Sequence, residues 1–272
     1  MNDRAFYGQL ADLHMHTHLC AHAEGEPKDY AKRAVALGLG ELGISEHAPM
    51  PSGYDALRLA EDRLPDYLAM VEAARRVAPQ LPIRLGVEAE YCRGQEDYVR
   101  RFLARADWDY VIGSVHYLEM WNFDDPKEIP AWRAIRDLFG TWRDYFSLWK
   151  EAARTKLYDT LGHPDLVKKF GFFPKEPCEA LFEDALRTVA EAGCCLEINT
   201  AGLRKPVKEI YPSSAFLRIA RRLDIPITFG SDAHAPHEVG VGFREAVALA
   251  RECGYAEYAR FEKRKRMMRP LP

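Results

Sequence analysis

The sequence predicts a parallel α/β barrel, and three observations carry that reading. Short apolar runs alternate with longer amphipathic ones along the chain. Seven such strand-then-helix units can be counted. Histidines and acids gather just after the apolar runs. Alternation of this kind implies a parallel sheet, and seven units in roughly 250 residues come close to the eight of a closed (β/α) barrel. The rival is an open doubly wound sheet. No GxGxxG or Walker loop follows any strand, so a nucleotide-binding version of it has little support.

The elements follow in order. The first apolar run, residues 10–16, ends in His14-Met15-His16. A helix is expected over 27–37, where Pro27 suits a first helical turn and Gly38 and Gly40 then punctuate. The second strand is 42–45. A long helical pattern over 60–77 is ended by Pro79 and Pro82, and the third strand is 83–87. A helix over 95–106 precedes the fourth strand at 110–115. An insertion rich in aromatics and acids, 121–130, leads into a helix over 131–155. A short fifth strand covers 158–161, then a helix 177–192 and the sixth strand 195–198. Ser213 and Ser214 suit the cap of a helix over 213–223, followed by the seventh strand at 225–229 and a last helix over 243–252. No linker-like stretch or repeat divides the chain, so residues 1–272 are read as a single domain.

Composition excludes several classes. The chain is 47% hydrophobic and 29% charged, enough apolar material for a full core and too little charge for disorder. A net charge of −3 argues against a non-specific nucleic-acid or membrane binder. The basic run Lys263-Arg264-Lys265-Arg266 is read as a solvated tail or edge strand. No apolar run reaches the roughly 18 residues of a membrane span. The six cysteines form no CxxC pair, and no secretory signal is read before them. Reduced thiols in a cytoplasmic protein follow, with Cys20 a minor candidate ligand.

The placement of histidines carries the chemistry. His14 and His16 end the first strand, His22 lies in the loop after it, and His47 ends the second. Glu88 and Glu90 end the third, His116 the fourth, His163 the fifth, and Asp232 and His234 the seventh. In a parallel barrel the C-terminal ends of all strands face one mouth, so these groups converge. Alternation along a strand points His14 and His16 the same way. His18 and His237 fit less well and are left as loop residues. One zinc takes three or four protein ligands, so the candidates suit two or three ions with a bridging carboxylate. The donors admit zinc, iron, nickel, copper or manganese.

These motifs resemble the PHP family (polymerase and histidinol phosphatase). The resemblance rests on His14-x-His16, His22, Ser45-Glu46-His47, Gly86-Val87-Glu88, Ser114-Val115-His116, Gly162-His163-Pro164 and Gly230-Ser231-Asp232-Ala233-His234. It runs from Asp12 to the basic tail and is greatest to the stand-alone histidinol-phosphate phosphatases. It implies a distorted (β/α)7 barrel with three divalent ions, zinc, iron or manganese. One ion would take His14, His16, Glu88 and Asp232; a second Glu88, His116 and His163; a third His22, His47 and His234. Glu46 and Glu90 would stand behind these ligands. The implied reaction is hydrolysis of L-histidinol phosphate by a metal-bridging hydroxide, with Asp232 or His234 managing the proton of the leaving alkoxide.

Arg204 follows the sixth strand and is expected to clamp phosphate with its fork of donors. Lys168 and Lys169 follow the fifth strand at the same mouth, and one of them is expected to assist. Tyr117 would hydrogen-bond the phosphate or pack the wall. Trp121 and Phe123 would cover the site and help to hold the imidazole, or simply pack the loop. The nearest alternative is a family member acting on nucleotides, 3′ DNA ends or other small phosphate esters, against which no extended basic groove is visible. A C–N hydrolase of the amidohydrolase type also begins with HxH. It usually wants a lysine ending a mid-barrel strand, and Glu88 and His116 stand there instead. A metal-binding scaffold without activity is the non-enzymatic rival, and the full ligand set speaks against it. Oligomeric state is not legible.

Overall fold

The computed structural model describes residues 2–52 and 54–272. In chain order the elements are α1 (Asp3–Tyr7), β1 (Ala11–Asp12), α2 (Pro27–Leu37), β2 (Glu41–Ile44), α3 (Leu64–Val77), β3 (Ile83–Glu90), α4 (Glu96–Leu103) and β4 (Tyr110–Ser114). Then come α5 (Ile129–Ala134), α6 (Leu138–Arg154), β5 (Thr160–Leu161), α7 (Glu179–Ala192), β6 (Cys195–Asn199), α8 (Ser214–Arg222), β7 (Ile227–Gly230), α9 (Phe243–Glu252), β8 (Glu257–Glu262) and β9 (Lys265–Pro270). β1 to β7 form one parallel sheet in sequence order. The ring closes where Leu13 N donates to Phe229 O at 3.0 Å and Met15 bridges Ala233 in parallel. The expected (β/α)7 barrel is therefore observed. Its long third strand spans the distortion, pairing with β2 through Ile83 to Leu85 and with β4 through Gly86 to Glu90.

Local chemistry sets the element ends. Pro27 opens α2 behind a capping box between Glu26 and Asp29, and Gly38 closes it at φ 80°. Pro65 lies in the first turn of α3, so the predicted start at 60 shifts to Leu64, after a short 3₁₀ turn. The single helix expected over 131–155 is two helices. Asp137 breaks it by accepting from Gly140 N at 2.7 Å, a fresh N-cap. The first strand is shorter than its apolar run. Beyond Asp12 its amides leave the ladder one by one, Met15 N for the Ser45 hydroxyl and His16 N for Ala233 O.

The barrel interior is filled by side chains. Tyr110 stands inside and donates its hydroxyl to Leu13 O at 2.7 Å. A Cβ on Gly43 or on Gly86 would lie 2.2 Å from that phenol, so both strands need glycine where the ring crosses them. Two elements lie outside the expected pattern. One is the short helix α1. The other is the antiparallel hairpin β8–β9, in which the basic run falls. The basic side chains are exposed, as expected of an edge strand. The turn nevertheless docks on the N-terminal ends of β4 and β5. Lys263 N and Arg264 N donate to Asp109, and the Arg264 guanidinium pairs with Asp159. Among the described residues, no helix is long and apolar enough to cross a membrane.

Candidate metal centre

Glu88, near the end of β3, is the hub of the opposite mouth. Its Oε1 accepts from Ser114 Oγ at 2.6 Å and lies 3.0 Å from His163 Nε2 and 3.7 Å from His116 Nε2. Its Oε2 lies 3.5 Å from His14 Nε2, 3.6 Å from His16 Nε2 and 2.7 Å from His47 Nδ1. Asp232 Oδ1 completes the first cluster, 3.2 Å from His16 Nε2 and 3.8 Å from His14 Nε2. His22 Nε2 approaches His234 Nε2 to 3.1 Å, and the His47 ring stacks on His16 with centroids 4.0 Å apart. Three ligand groups emerge, each with donor atoms within 4.8 Å of one another: His14, His16 and Glu88; Glu88, His116 and His163; His16, His47 and His234. Seven of the nine predicted ligands fall in these groups; Asp232 joins them through His16, and His22, expected in the third group where His16 stands, joins through His234.

Three buried glutamates stand behind the imidazoles. Glu197 Oε1 lies 2.6 Å from His14 Nδ1, which turns Nε2 toward Glu88. Its Oε2 accepts from His163 N at 2.9 Å. A Cβ on Gly230 would stand 2.0 Å from that Oε1 and 2.5 Å from His14 Cβ, so β7 must carry glycine there. Glu90 lies 2.6 Å from His116 Nδ1 and also accepts from His116 N. Glu46 accepts from Thr17 N and His47 N, both at 2.9 Å, and faces His16 Nδ1 at 3.5 Å. The placement of Glu46 and Glu90 behind the ligands agrees with expectation. Backbone strain is also stored here: His163 holds φ 26° and Asp232 φ 51°. Asp12 braces the Asp232 turn by accepting from Ser231 N and Gly240 N.

The donor set fits divalent cations. His14 Nε2, both nitrogens of His16, Glu88 Oε2 and His163 Nδ1 are buried without hydrogen-bond partners. The charges point the same way. Burial alone would discharge His14, but Glu197, Asp232 and Glu88 outweigh it and hold the ring well above the usual histidine range. His16 is likewise pushed up to about 9, chiefly by Asp232 and Glu46 against burial. Burial and then the charge of His16 push His47 well down and His234 down to about 3. Glu88 and Asp232 stay far below the carboxylate range, because the neighbouring imidazoles outweigh burial. Protons on His14 and His16 thus hold positive charge where a cation would sit.

A cavity of about 520 Å³ opens over this floor, lined by His22, His47, Glu88, His116, His163, Asp232 and His234. Lys169 reaches it, whereas Lys168 does not. In the 3₁₀ turn, residues three apart share a face, so Leu166 and Lys169 line the cavity. Lys168 turns into a buried cluster instead, 3.0 Å from Asp165 and 2.9 Å from Ile210 O. The expectation for Lys168 is corrected accordingly. Tyr117 is corrected as well: its hydroxyl is committed to Asp55, and Asp55 is the group that lines the cavity. Arg204, expected to clamp phosphate, does not line the cavity and braces its floor from behind. It donates to Ser231 O at 2.8 Å and Asp232 O at 3.1 Å and pairs with Glu238, leaving Nη1 buried without a partner. His18, exposed, contacts Gly25 O, and Cys20 Sγ donates to Thr17 O; neither lines the cavity. Phe123 and Trp121 pack against Trp132 rather than lining the cavity.

Sequence reading missed Glu197, Arg58 and Asp124. Glu197 had a signal, a lone acid in an otherwise apolar strand. Arg58, which lies 3.4 Å from both His47 Nδ1 and Glu90 Oε2, comes from an irregular loop with no periodic pattern.

Comparisons with known proteins agree with this geometry. A PHP domain model matches residues 12–201, and a PHP-associated model matches residues 216–252. A probable histidinol-phosphatase of Deinococcus radiodurans is 47% identical over 247 residues, covering 90% of this chain and 94% of that one. The histidinol-phosphatase of Bacillus subtilis is 29% identical over 260 residues, covering 86% and 97%. The solved histidinol phosphate phosphatase of Lactococcus lactis, complexed with zinc, L-histidinol and phosphate, superposes with a TM-score of 0.80. That match covers 95% of this chain and 99% of the other; at 24% identity it speaks for the fold.

Proposed function

This chain belongs to the PHP family, and from that membership we propose that it is a metal-dependent histidinol-phosphatase. It hydrolyses L-histidinol phosphate to L-histidinol and inorganic phosphate in histidine biosynthesis. The observation that carries this reading is the convergence of nine donor side chains, from six of seven strand ends, on one mouth, seven of them in three groups linked through Glu88 and His16. The likeness to the Deinococcus and Bacillus relatives supplies the substrate.

Three divalent ions per chain, zinc, iron or manganese, are the proposed cofactor. His14, His16, Glu88 and Asp232 would hold one, Glu88, His116 and His163 another, and His22, His47 and His234 the third. Bound there, such ions supply charge for the phosphate oxygens and lower the pKa of an attacking water. The chain's own residues do the rest. Glu197 and Glu90 fix the His14 and His116 rings, and Glu46 the backbone at Thr17 and His47, so that donors need no reorganisation as charge develops. Lys169 meets the phosphate at the cavity wall, and Arg204 holds the turn that carries Asp232. Asp232 or His234 would take the proton of the attacking water and pass it to the leaving alkoxide. No seryl or thiol nucleophile takes part; burial pushes the nearby Cys20 thiol well up. We read residues 1–272 as one phosphoesterase domain. The six free cysteines support a cytoplasmic place for it.

The test is phosphate release from L-histidinol phosphate beside a nucleoside monophosphate, a 3′-phosphorylated oligonucleotide and an aryl phosphate. Strong preference for the first, lost in His14→Ala, is expected. Turnover confined to the other esters would leave the metal chemistry standing and remove the biosynthetic assignment.

A further inference from the structure

L-Histidinol phosphate carries an ammonium on the carbon next to its ester carbon, with the imidazole further out. An enzyme that selects this ester needs an anion close beside the phosphate, inside the cavity. Resting on the function proposed above, we propose that Asp124 is the specificity-determining carboxylate that receives this ammonium, exchanging its partner Lys169 for it as Lys169 passes to the phosphate.

Besides the ligands, three acids line the cavity: Asp55, Asp124 and Asp125. Asp55 is committed. It accepts from Leu57 N at 2.8 Å and from the Tyr117 hydroxyl, and faces Arg58. Asp125 caps a turn by accepting from Lys127 N at 2.8 Å. Among the described residues, the Asp124 carboxylate pairs with Lys169 alone. Lys169 Nζ stands 2.6 Å from its Oδ1, an ionic contact without hydrogen-bond alignment, while donating to Asp124 O at 2.8 Å. Such a pair is built to be exchanged.

The fold aims Asp124 inward. Phe123 is buried and packs edge-on against Trp132 and Tyr145, and Trp132 Nε1 donates to Phe123 O at 2.8 Å. With Phe123 anchored in the core, the next side chain faces the cavity. Asp124 also lies near the second ligand group. Burial pushes its carboxyl up, but Lys169, His116 and His163 outweigh this and hold it low. The exchange leaves no charge unpaired. Without substrate the carboxylate meets Lys169; with substrate it meets the ammonium while Lys169 meets the phosphate.

The experiment compares kcat/KM for L-histidinol phosphate with that for imidazolylpropyl phosphate, the same ester without its amine, in the metal-replete full chain. Wild type should prefer the amine by about a hundred-fold, and Asp124→Asn should bring the ratio toward one. If Asp124→Asn is inactive on both esters, Asp124→Glu, which keeps the charge, must retain the preference; its loss there overturns the assignment. A wild-type ratio retained in Asp124→Asn overturns it too, leaving the function intact. A wild type indifferent to the amine overturns the assignment as well, while the proposed function fails separately, if L-histidinol phosphate is not turned over at all.

Discussion

Glu197 ties three parts of the site together: the His14 ring, the His163 backbone amide and the Asn199 amide, which donates to it at 3.0 Å. A neutral isostere keeps the shape and removes the charge that fixes the His14 tautomer. Glu197→Gln should therefore weaken metal affinity by about 10–100-fold with little change in the melt of the metal-free chain. Competition with a chromogenic chelator measures this, and unchanged affinity would reduce Glu197 to a packing residue. At this scale the ligands were legible because a parallel barrel sends every strand end to one mouth, so position along the chain reported position in space. Lys168 and Lys169 show the limit. Adjacent in sequence, they face a buried ion cluster and the cavity respectively, and only the pitch of the 3₁₀ turn decides between them.

Among the elements, the β8–β9 hairpin holds the end of the barrel away from the chemistry. Arg264 pairs with Asp159 and donates to Leu157 O at 2.8 Å, pinning the start of β5. Arg264→Ala should cost about 1–2 kcal/mol in urea unfolding and leave KM unchanged. A large rise in KM would mean that the hairpin communicates with the far mouth. Six of the seven strands were readable from apolar runs to within three residues at either end. The first was over-extended, because Leu13 to His16 satisfy their amides singly rather than in a ladder. The hairpin was readable only in part: its charged strand was expected as a tail or edge strand, while its partner β8, only six residues long, was missed. The helix break at Asp137 was missed because a capping aspartate inside an amphipathic run looks like any polar-face residue.

For the whole molecule, closing the ring brings His14 beside Asp232, over 200 positions apart in the chain, so the metal centre and the barrel stand or fall together. Cations that bind only the folded chain should also raise its melting temperature. The direction with pH follows from His16. In the metal-free chain it keeps a proton up to about pH 9, and a ligand must surrender that proton. Metal uptake should therefore release protons at neutral pH and tighten as pH rises toward 9. The most direct measurement is a titration of zinc, iron(II) or manganese into chelated protein, following phosphate release from L-histidinol phosphate. No turnover is expected without metal, and activity should rise to a plateau at about three equivalents per chain. Full turnover by the chelated protein, or saturation with metal and no turnover at all, would contradict this.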